Sequence, residues 1–270
     1  MAVKNRDEPE RKSRVQSRSG AAILSVLVFV VFLFGWWAVV RVLGLSKLVL
    51  PTPWVVWESL IEHLVSGLLL KHLWITLVEI LLGFGLGSVF GIALGALIAH
   101  SGFAKRVLNP YIVASQALPK LALAPIFIIW FGYGILSKVV ITALICFFPL
   151  LENTITGLNE IEENKIELFR SLTANRWQMF YKLRVPHALP YIFTGLRVSI
   201  ILSIVGAIVG EYVGSNQGLG ALIIATQGNF DTPLMFSVFV ILTLVGAALY
   251  KAMELLERVC FSWRRLKREV

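Results

Sequence analysis

The chain has 270 residues, 57% of them hydrophobic and only 15% charged, with a mean hydropathy of +0.78. A soluble domain of this length carries more charge and fewer apolar runs, so an ordinary water-soluble enzyme or binding domain is excluded and the bilayer is the expected solvent. The formal charge of +9 is concentrated in tails and turns beside apolar runs, which reads as membrane-side anchoring, with no nucleic-acid partner expected. Cys146 and Cys260 both lie in or beside apolar runs and suggest no disulfide framework. His63, His72, His100 and His187 show no metal-ligand spacing, and no G-x-x-x-x-G-K-[ST] motif is present. The chain itself is therefore expected to hold no metal and no cofactor; if a nucleotide is used, another chain binds it.

Residues 1–20 are polar and basic, with Lys4, Arg6, Arg11, Lys12, Arg14 and Arg18, and read as a disordered tail. Residues 21–40 are apolar throughout, long enough for a first, uncleaved span. Thr52 is placed to cap a helix with Pro53 at its first position. Val56, Leu60, Ile61, Leu64, Leu68 and Leu69 give that helix one apolar face against Glu58, Glu62 and His63, as in an interfacial helix. Residues 21–72 thus form one unit of span plus external helix.

Residues 74–99 form the second span, with Gly83, Gly87, Gly91 and Gly95 at every fourth position. That stripe predicts a smooth ridge for close helix packing; a dinucleotide-binding reading fails because no strand precedes it. The third span, about 107–131, carries Pro110, Pro119 and Pro125 with Lys120 between them, and predicts broken geometry facing protein or a cavity. The fourth, 139–156, contains Pro149 and Glu152. A polar loop, 159–187, precedes the fifth span, 188–213, which holds Arg197 and Glu211. The Gly-rich then apolar stretch 214–231 is too short to span and is expected to dip back into the bundle. The sixth span, 234–256, closes the core at 257, before a basic tail, 258–270, with Arg258, Arg264, Arg265, Lys267 and Arg268. Lys and Arg crowd the N-tail, the 100–106 turn, the 159–187 loop and the C-tail; the connection between spans one and two holds Lys47 and Lys71, and 132–136 and 214–233 hold none. Positive residues stay cytoplasmic, so six spans with both termini inside satisfy every loop. The fold class is all-α: a polytopic membrane protein with six transmembrane helices.

The loop is the one long polar, helix-competent segment between apolar spans. Leu168, Phe169, Leu172 and Phe180 recur near the helical period, while Arg170, Asn175, Arg176 and Lys182 are polar. Such a helix packs on its own bundle, on headgroups, or in a groove of a soluble partner. From Glu167 to Pro186 it reads E-L-F-R-S-L-T-A-N-R-W-Q-M-F-Y-K-L-R-V-P. It resembles the cytoplasmic EAA loop of ABC-importer permeases: E-A-A, three residues, Gly, nine residues, then I-x-L-P. Glu167 matches the glutamate, and Leu183, Val185 and Pro186 match the close. Leu168 and Phe169 stand for the alanines and Thr173 for the glycine, which bears on how tightly the loop turns, since Gly tolerates backbone angles that Thr does not.

The resemblance extends over residues 48–257. Leu50-Pro-Thr-Pro, the stretch from His72-Leu-Trp-Ile-Thr-Leu to Gly83-Phe-Gly-Leu-Gly, Pro119-Lys-Leu-Ala-Leu-Ala-Pro with Trp130-Phe-Gly-Tyr-Gly, Gly195-Leu-Arg, and Glu211-Tyr-Val-Gly with Gly218-Leu-Gly resemble the nitrate/sulfonate/taurine type of ABC permease. What the resemblance implies is the type I ABC-importer permease fold in a bacterial inner membrane, with a permease core over 73–257. It further implies a homodimeric pore, two ATP-binding subunits, and a solute-binding protein that delivers a small solute. The coupling helix would include Glu167, Arg170, Leu172, Thr173, Asn175, Arg176 and Trp177.

Glu167 either accepts backbone N–H groups at its helix start or faces the partner's groove. Glu79, Glu152, Arg197 and Glu211 are charges in apolar spans, where they line the solute pathway or pair structurally. Two other functions compete. A proton-coupled carrier would use Glu79, Glu152 or Glu211, but no internal repeat is evident and the loop is left without a role. An intramembrane enzyme lacks any H-E-x-x-H or nucleophile–base constellation.

Overall fold

The computed structural model describes residues 8–261, with side chains from Ile23 onward. The basic side chains of the expected N-tail and those of 264–268 lie outside these described residues. The first helix, α1 (Glu8–Val42), is longer than the expected span. Its apolar part is Ile23–Val42, and the helix continues back to Glu8, where the sequence predicted disorder. Once an apolar span nucleates a helix, adding good helix formers such as Glu, Arg and Lys is cheap. This helix is peripheral. Val40 is buried and Trp36 meets Phe236 of the last helix at 5.6 Å, but Phe29, Val31 and Phe32 are exposed to the lipid position.

Helix α2 (Pro53–Val65) has Pro53 at its start as expected, but the Thr52 side chain makes no capping bond. Helix α3 (Leu68–His100) is the second span. Helix α4 (Gly102–Ala117) contains Pro110 without breaking. The break comes at Leu118–Pro119, followed by a 3-10 turn (Lys120–Leu123) and α5 (Ala124–Phe131). The two halves bend by 81°, so the expected third span is a broken one. Helix α6 (Ile135–Asn159) follows.

The packing of α3 on α6 settles the count of crossings. A Cβ on Gly83 would meet Thr142, one on Gly87 would lie 2.5 Å from the Ala143 carbonyl oxygen, one on Gly91 2.8 Å from that of Phe147, and one on Gly95 2.8 Å from Thr154 Cβ. All four glycines are buried, so the ridge predicted from spacing is real and its partner is α6. The order of partners rises along both helices, so α3 and α6 run parallel. The chain must therefore recross between them, and the bent pair α4–α5 is the only segment that does so. Five continuous spans plus this broken one make six.

The polar loop forms α7 (Glu163–Ser171), a turn, and α8 (Arg176–Met179). A π-helical turn (Phe180–Arg184) then joins α8 directly to α9 (Val185–Gly214). The cause is Pro186, which has no N–H to continue the ladder; the Val185 N–H reaches back to the Phe180 carbonyl instead. The loop and the fifth span are thus one helix from Arg176 to Gly214, not the separate pieces the sequence suggested. Helix α9 packs antiparallel on α6, with Gly210 against Lys138, Gly206 against Thr142 and Gly195 against Asn153. Helix α10 (Leu219–Gly228) is too short to span, as expected, and buries Leu219, Leu222 and Ile223 against α11 (Thr232–Cys260).

Candidate functional site

Three places hold the residues singled out in the sequence. The first is the bracket formed by α7 and α8. Glu167 lies inside α7, not at its start, so it caps nothing; it is exposed and makes no hydrogen bond or ion pair with another described residue. Arg170, Leu172, Thr173, Asn175, Arg176 and Trp177 are exposed too. The apolar stripe divides. Phe169 and Phe180 are half-buried toward the bundle, whereas Leu168, Leu172 and Trp177 face outward, Trp177 stacked on Tyr181 at 6.0 Å. At the helix start, the Lys165 ammonium beside Glu162, 2.8 Å away, holds that carboxyl below the usual carboxylate range.

The turn between the two helices is tight in spite of Thr173. Its N–H donates to the Arg170 carbonyl at 2.9 Å and the Ala174 N–H to that of Phe169 at 3.0 Å, the paired bonds of a Schellman helix end. That geometry places Thr173 at φ +54°, a left-handed conformation costly for a β-branched residue. Two residues on, Asn175 opens α8 with a capping box: its side chain accepts from the Gln178 N–H at 2.8 Å and Gln178 accepts from the Asn175 N–H at 3.0 Å. Thr173→Gly is expected to stabilise the turn by about 1 kcal/mol, read as slower hydrogen exchange of the Ala174 amide. Equal or faster exchange would show that the left-handed Thr is not strained.

The second place is a cavity of about 780 Å³ at the opposite end of the bundle, lined in part by Glu79, Tyr133, Lys138, Tyr212, Ser215 and Gln217. Lys138 Nζ donates to Glu79 Oε1 at 3.0 Å and to Ser215 Oγ at 2.7 Å. Sequence reading missed Lys138; three residues into α6 it looks like a span-end anchor, and only the parallel packing of α3 reveals its partner. Glu211 is fully buried. Thr76 Oγ1 donates to its Oε1 at 2.6 Å, the Gly220 N–H donates to its Oε2, and Thr76 Oγ1 accepts the Leu219 N–H at 2.8 Å. The start of α10 is thereby pinned to α3 and α9 by side chains that satisfy its orphan N–H groups. The glycines of Gly218-Leu-Gly have a reason here: a Cβ on Gly218 would overlap the Glu211 carboxyl, and one on Gly220 would lie 2.9 Å from it. Arg197 and Glu211 do not meet; Arg197 Nε lies 3.4 Å from Glu257 on α11.

The third place is the break in α4–α5. Gln116 Nε2 donates to Glu152 Oε2 at 3.1 Å, and Lys120 Nζ sits 4.1 Å above the Phe148 ring. Glu152 is exposed although it lies within the α6 span. Among the described residues no group of His, Cys, Asp or Glu is placed to hold a metal ion.

Residues 87–260 match the family described as binding-protein-dependent transport system inner membrane component. The chain belongs to this family. Over 248 residues it is 39% identical to the formylaminopyrimidine transport permease protein ThiX of Halalkalibacterium halodurans, covering 92% of this chain and 98% of that one. It is likewise 39% identical to the riboflavin transport system permease protein RibX of Chloroflexus aurantiacus, covering 89% of each. The putative aliphatic sulfonates permease SsuC of Bacillus subtilis is 34% identical over 96% of this chain and 92% of its own. A solved structure of the MetNI methionine ABC transporter in an inward-facing conformation superposes with a TM-score of 0.63 at 20% identity, covering 72% of this chain and 97% of that one, which shows the type I importer permease fold. The protein is thus a multi-pass membrane permease subunit of an ABC importer and is not itself the ATPase; family membership displaces the proton-coupled alternative. Its partners are an ATP-binding subunit and a solute-binding protein.

Proposed function

We propose that two copies of this permease form one translocation path, and that the α7–α8 bracket docks each copy on an ATP-binding subunit. The carrying observation is that Glu167, Arg170, Leu172, Thr173, Asn175, Arg176 and Trp177 are all exposed on one bracket whose second helix continues without a loop into the α9 span. A helix that lies in a partner's groove at one end and crosses the membrane at the other transmits rigid-body motion. ATP-driven closure of the partner would then shift the bundle between inward- and outward-facing packings.

The bracket shares its face of the bundle with the C-terminal end of α11. Lys165, Arg170, Arg176, Lys182 and Arg184 lie there, whereas the connection that follows α9 carries no Lys or Arg before α11. By the positive-inside rule this face is cytoplasmic, and the 780 Å³ cavity opens toward the side from which a binding protein delivers solute. The solute is a small compound; relatives are named for heterocycles and for sulfonates, and the separate binding protein does most of the selecting.

Glu167→Lys is expected to lower ATP-driven uptake at least about tenfold by reversing charge at the docking face, with the bundle still folded. Uptake and ATPase turnover in proteoliposomes holding the permease, its ATPase and its binding protein check this. Unchanged uptake together with unchanged ATPase binding would remove the bracket from the coupling path.

A further inference from the structure

We propose that the cavity between the outer end of α1 and the start of α2 binds the phosphate of an anionic phospholipid, held by Arg41, Lys47 and Thr52. It shares no residue with the bracket or with the cavity at Lys138. Only the choice of leaflet depends on the orientation given above. Thr232 Oγ1, at the outer start of α11, donates to the Leu48 carbonyl at 2.6 Å, so the α1–α2 turn belongs to the outer leaflet.

Positive side chains favour the cytoplasmic side, yet Arg41 and Lys47 flank this outer turn. Both line one cavity of about 380 Å³, whose walls include Thr52 and the apolar Val40, Leu50 and Val55 but no acidic residue. Neither cation forms an ion pair with a described residue; the Arg41 guanidinium lies 6.0 Å from the Trp37 ring centroid. The acids of neighbouring elements are placed otherwise. Asp231 accepts from the Leu234 N–H at 3.1 Å as the cap of α11, and Glu58 and Glu62 are exposed on α2, outside the cavity. The Thr52 hydroxyl makes no capping bond, so it is left to donate to a ligand. The turn itself is ordered. Gly44 at φ +59° ends α1, and the Leu45 N–H donates across it to the Val40 carbonyl at 3.1 Å. The Val49 and Leu50 N–H groups donate to the Ser46 carbonyl at 3.0 and 3.1 Å. This reversal sets Lys47 on the same cavity as Arg41.

A single outer cation reaches the headgroup layer on its own flexible stem. Two cations and a free hydroxyl around one acid-free cavity instead share an anion. The Arg41 fork suits two oxygens of a phosphate, and Lys47 adds a point charge. Basic pockets beside membrane helices hold anionic headgroups by the same chemistry. What lies below the cavity points to a lipid rather than free phosphate. Trp37 and Phe34 precede Arg41 by four and seven residues and so share its face of α1. Both are exposed, with their rings 5.7 Å apart. An acyl chain tethered to the bound phosphate lies along them. Phosphatidylglycerol fits better than phosphatidylethanolamine, because the cavity offers the ethanolamine ammonium only positive neighbours, a repulsive element. The bound lipid also covers the junction at which the peripheral α1 meets α2.

The test is native mass spectrometry of the delipidated permease–ATPase complex, titrated with phosphatidylglycerol or phosphatidylethanolamine, with inorganic phosphate as a competitor. The wild type is expected to bind phosphatidylglycerol about tenfold more tightly than phosphatidylethanolamine. The double variant Arg41→Gln with Lys47→Gln is expected to weaken phosphatidylglycerol about tenfold or more, the loss of charge-assisted contacts. Lys71→Gln removes an exposed cation from the same side but outside the cavity and leaves the affinity unchanged. Lys47→Gln alone, at an exposed position, weakens binding in the same direction and serves where the double variant does not accumulate. Equal affinity for the two lipids, unchanged affinity in the Lys47→Gln variants, or an equal loss in Lys71→Gln overturns the site. Displacement of phosphatidylglycerol by an equimolar amount of inorganic phosphate overturns the lipid and makes free phosphate the ligand. None of these readouts uses uptake, so each leaves the permease reading standing.

Discussion

Replacing Gly87 with leucine is expected to abolish accumulation of folded permease, while Gly85→Ala leaves it intact. The two glycines are half a turn apart on α3. A Cβ at Gly87 would sit 2.5 Å from the Ala143 backbone oxygen and 2.8 Å from Cys146 Cβ, whereas one at Gly85 meets nothing within 4 Å. The first clash is with backbone, so no rotamer change relieves it; α3 and α6 must separate along the whole ridge. Overpacking of this kind costs roughly 3 kcal/mol or more, a large part of the stability of an ordinary fold. Yield of monodisperse protein after detergent extraction, and its thermal unfolding, measure the difference. Wild-type yield for Gly87→Leu would contradict the close crossing, and damage from Gly85→Ala would mean that helix propensity rather than packing is being read.

Lys138→Met is expected to destabilise the protein by about 3–5 kcal/mol, the cost of leaving a buried charge without its partner. Lys138 is 5% exposed and Glu79 is fully buried. The other oxygen, Glu79 Oε2, has no hydrogen-bond partner among the described residues, and Glu211 brings a second carboxyl to the same end of the bundle. Removing the ammonium therefore leaves the buried Glu79 carboxyl without its positive partner. It also frees Ser215, which accepts from Lys138 Nζ and orders the turn before α10 through its 2.6 Å bond to the Gln217 carbonyl. The double variant Glu79→Gln with Lys138→Met should recover much of the loss, because an apolar and a neutral polar side chain carry no unpaired charge. Thermal unfolding of the wild type, both single variants and the double variant gives the coupling between the two sites. Additive losses would show that the pair does not act as a unit.

The long apolar runs were legible because spanning a bilayer requires length and hydropathy that few other structures need, and the four-residue glycine interval was legible because helical spacing puts those residues on one face. The exposed bracket could be read as well, since a polar, helix-competent segment between two spans has nowhere to go but water. Three features were not. Lys138 has its partner 59 residues away, and no local pattern joins Glu79 to it. Pro186 looked like the end of a loop, yet the π turn before it lets the helix run on into α9. Thr173 occupies a position that its side chain disfavours, and the strain is held by the helices on either side.

Sequence alone thus determined the class, the number of spans, the ridge and the family. Each follows from periodicity, hydropathy or the order of motifs along the chain. Tertiary structure decided that α3 and α6 run parallel, that Glu211 is spent on the start of α10, and that Glu152 is left facing outward at the break in α4–α5. Those outcomes depend on which helices meet and in what register, and contacts between residues far apart in the chain leave no periodic trace along it.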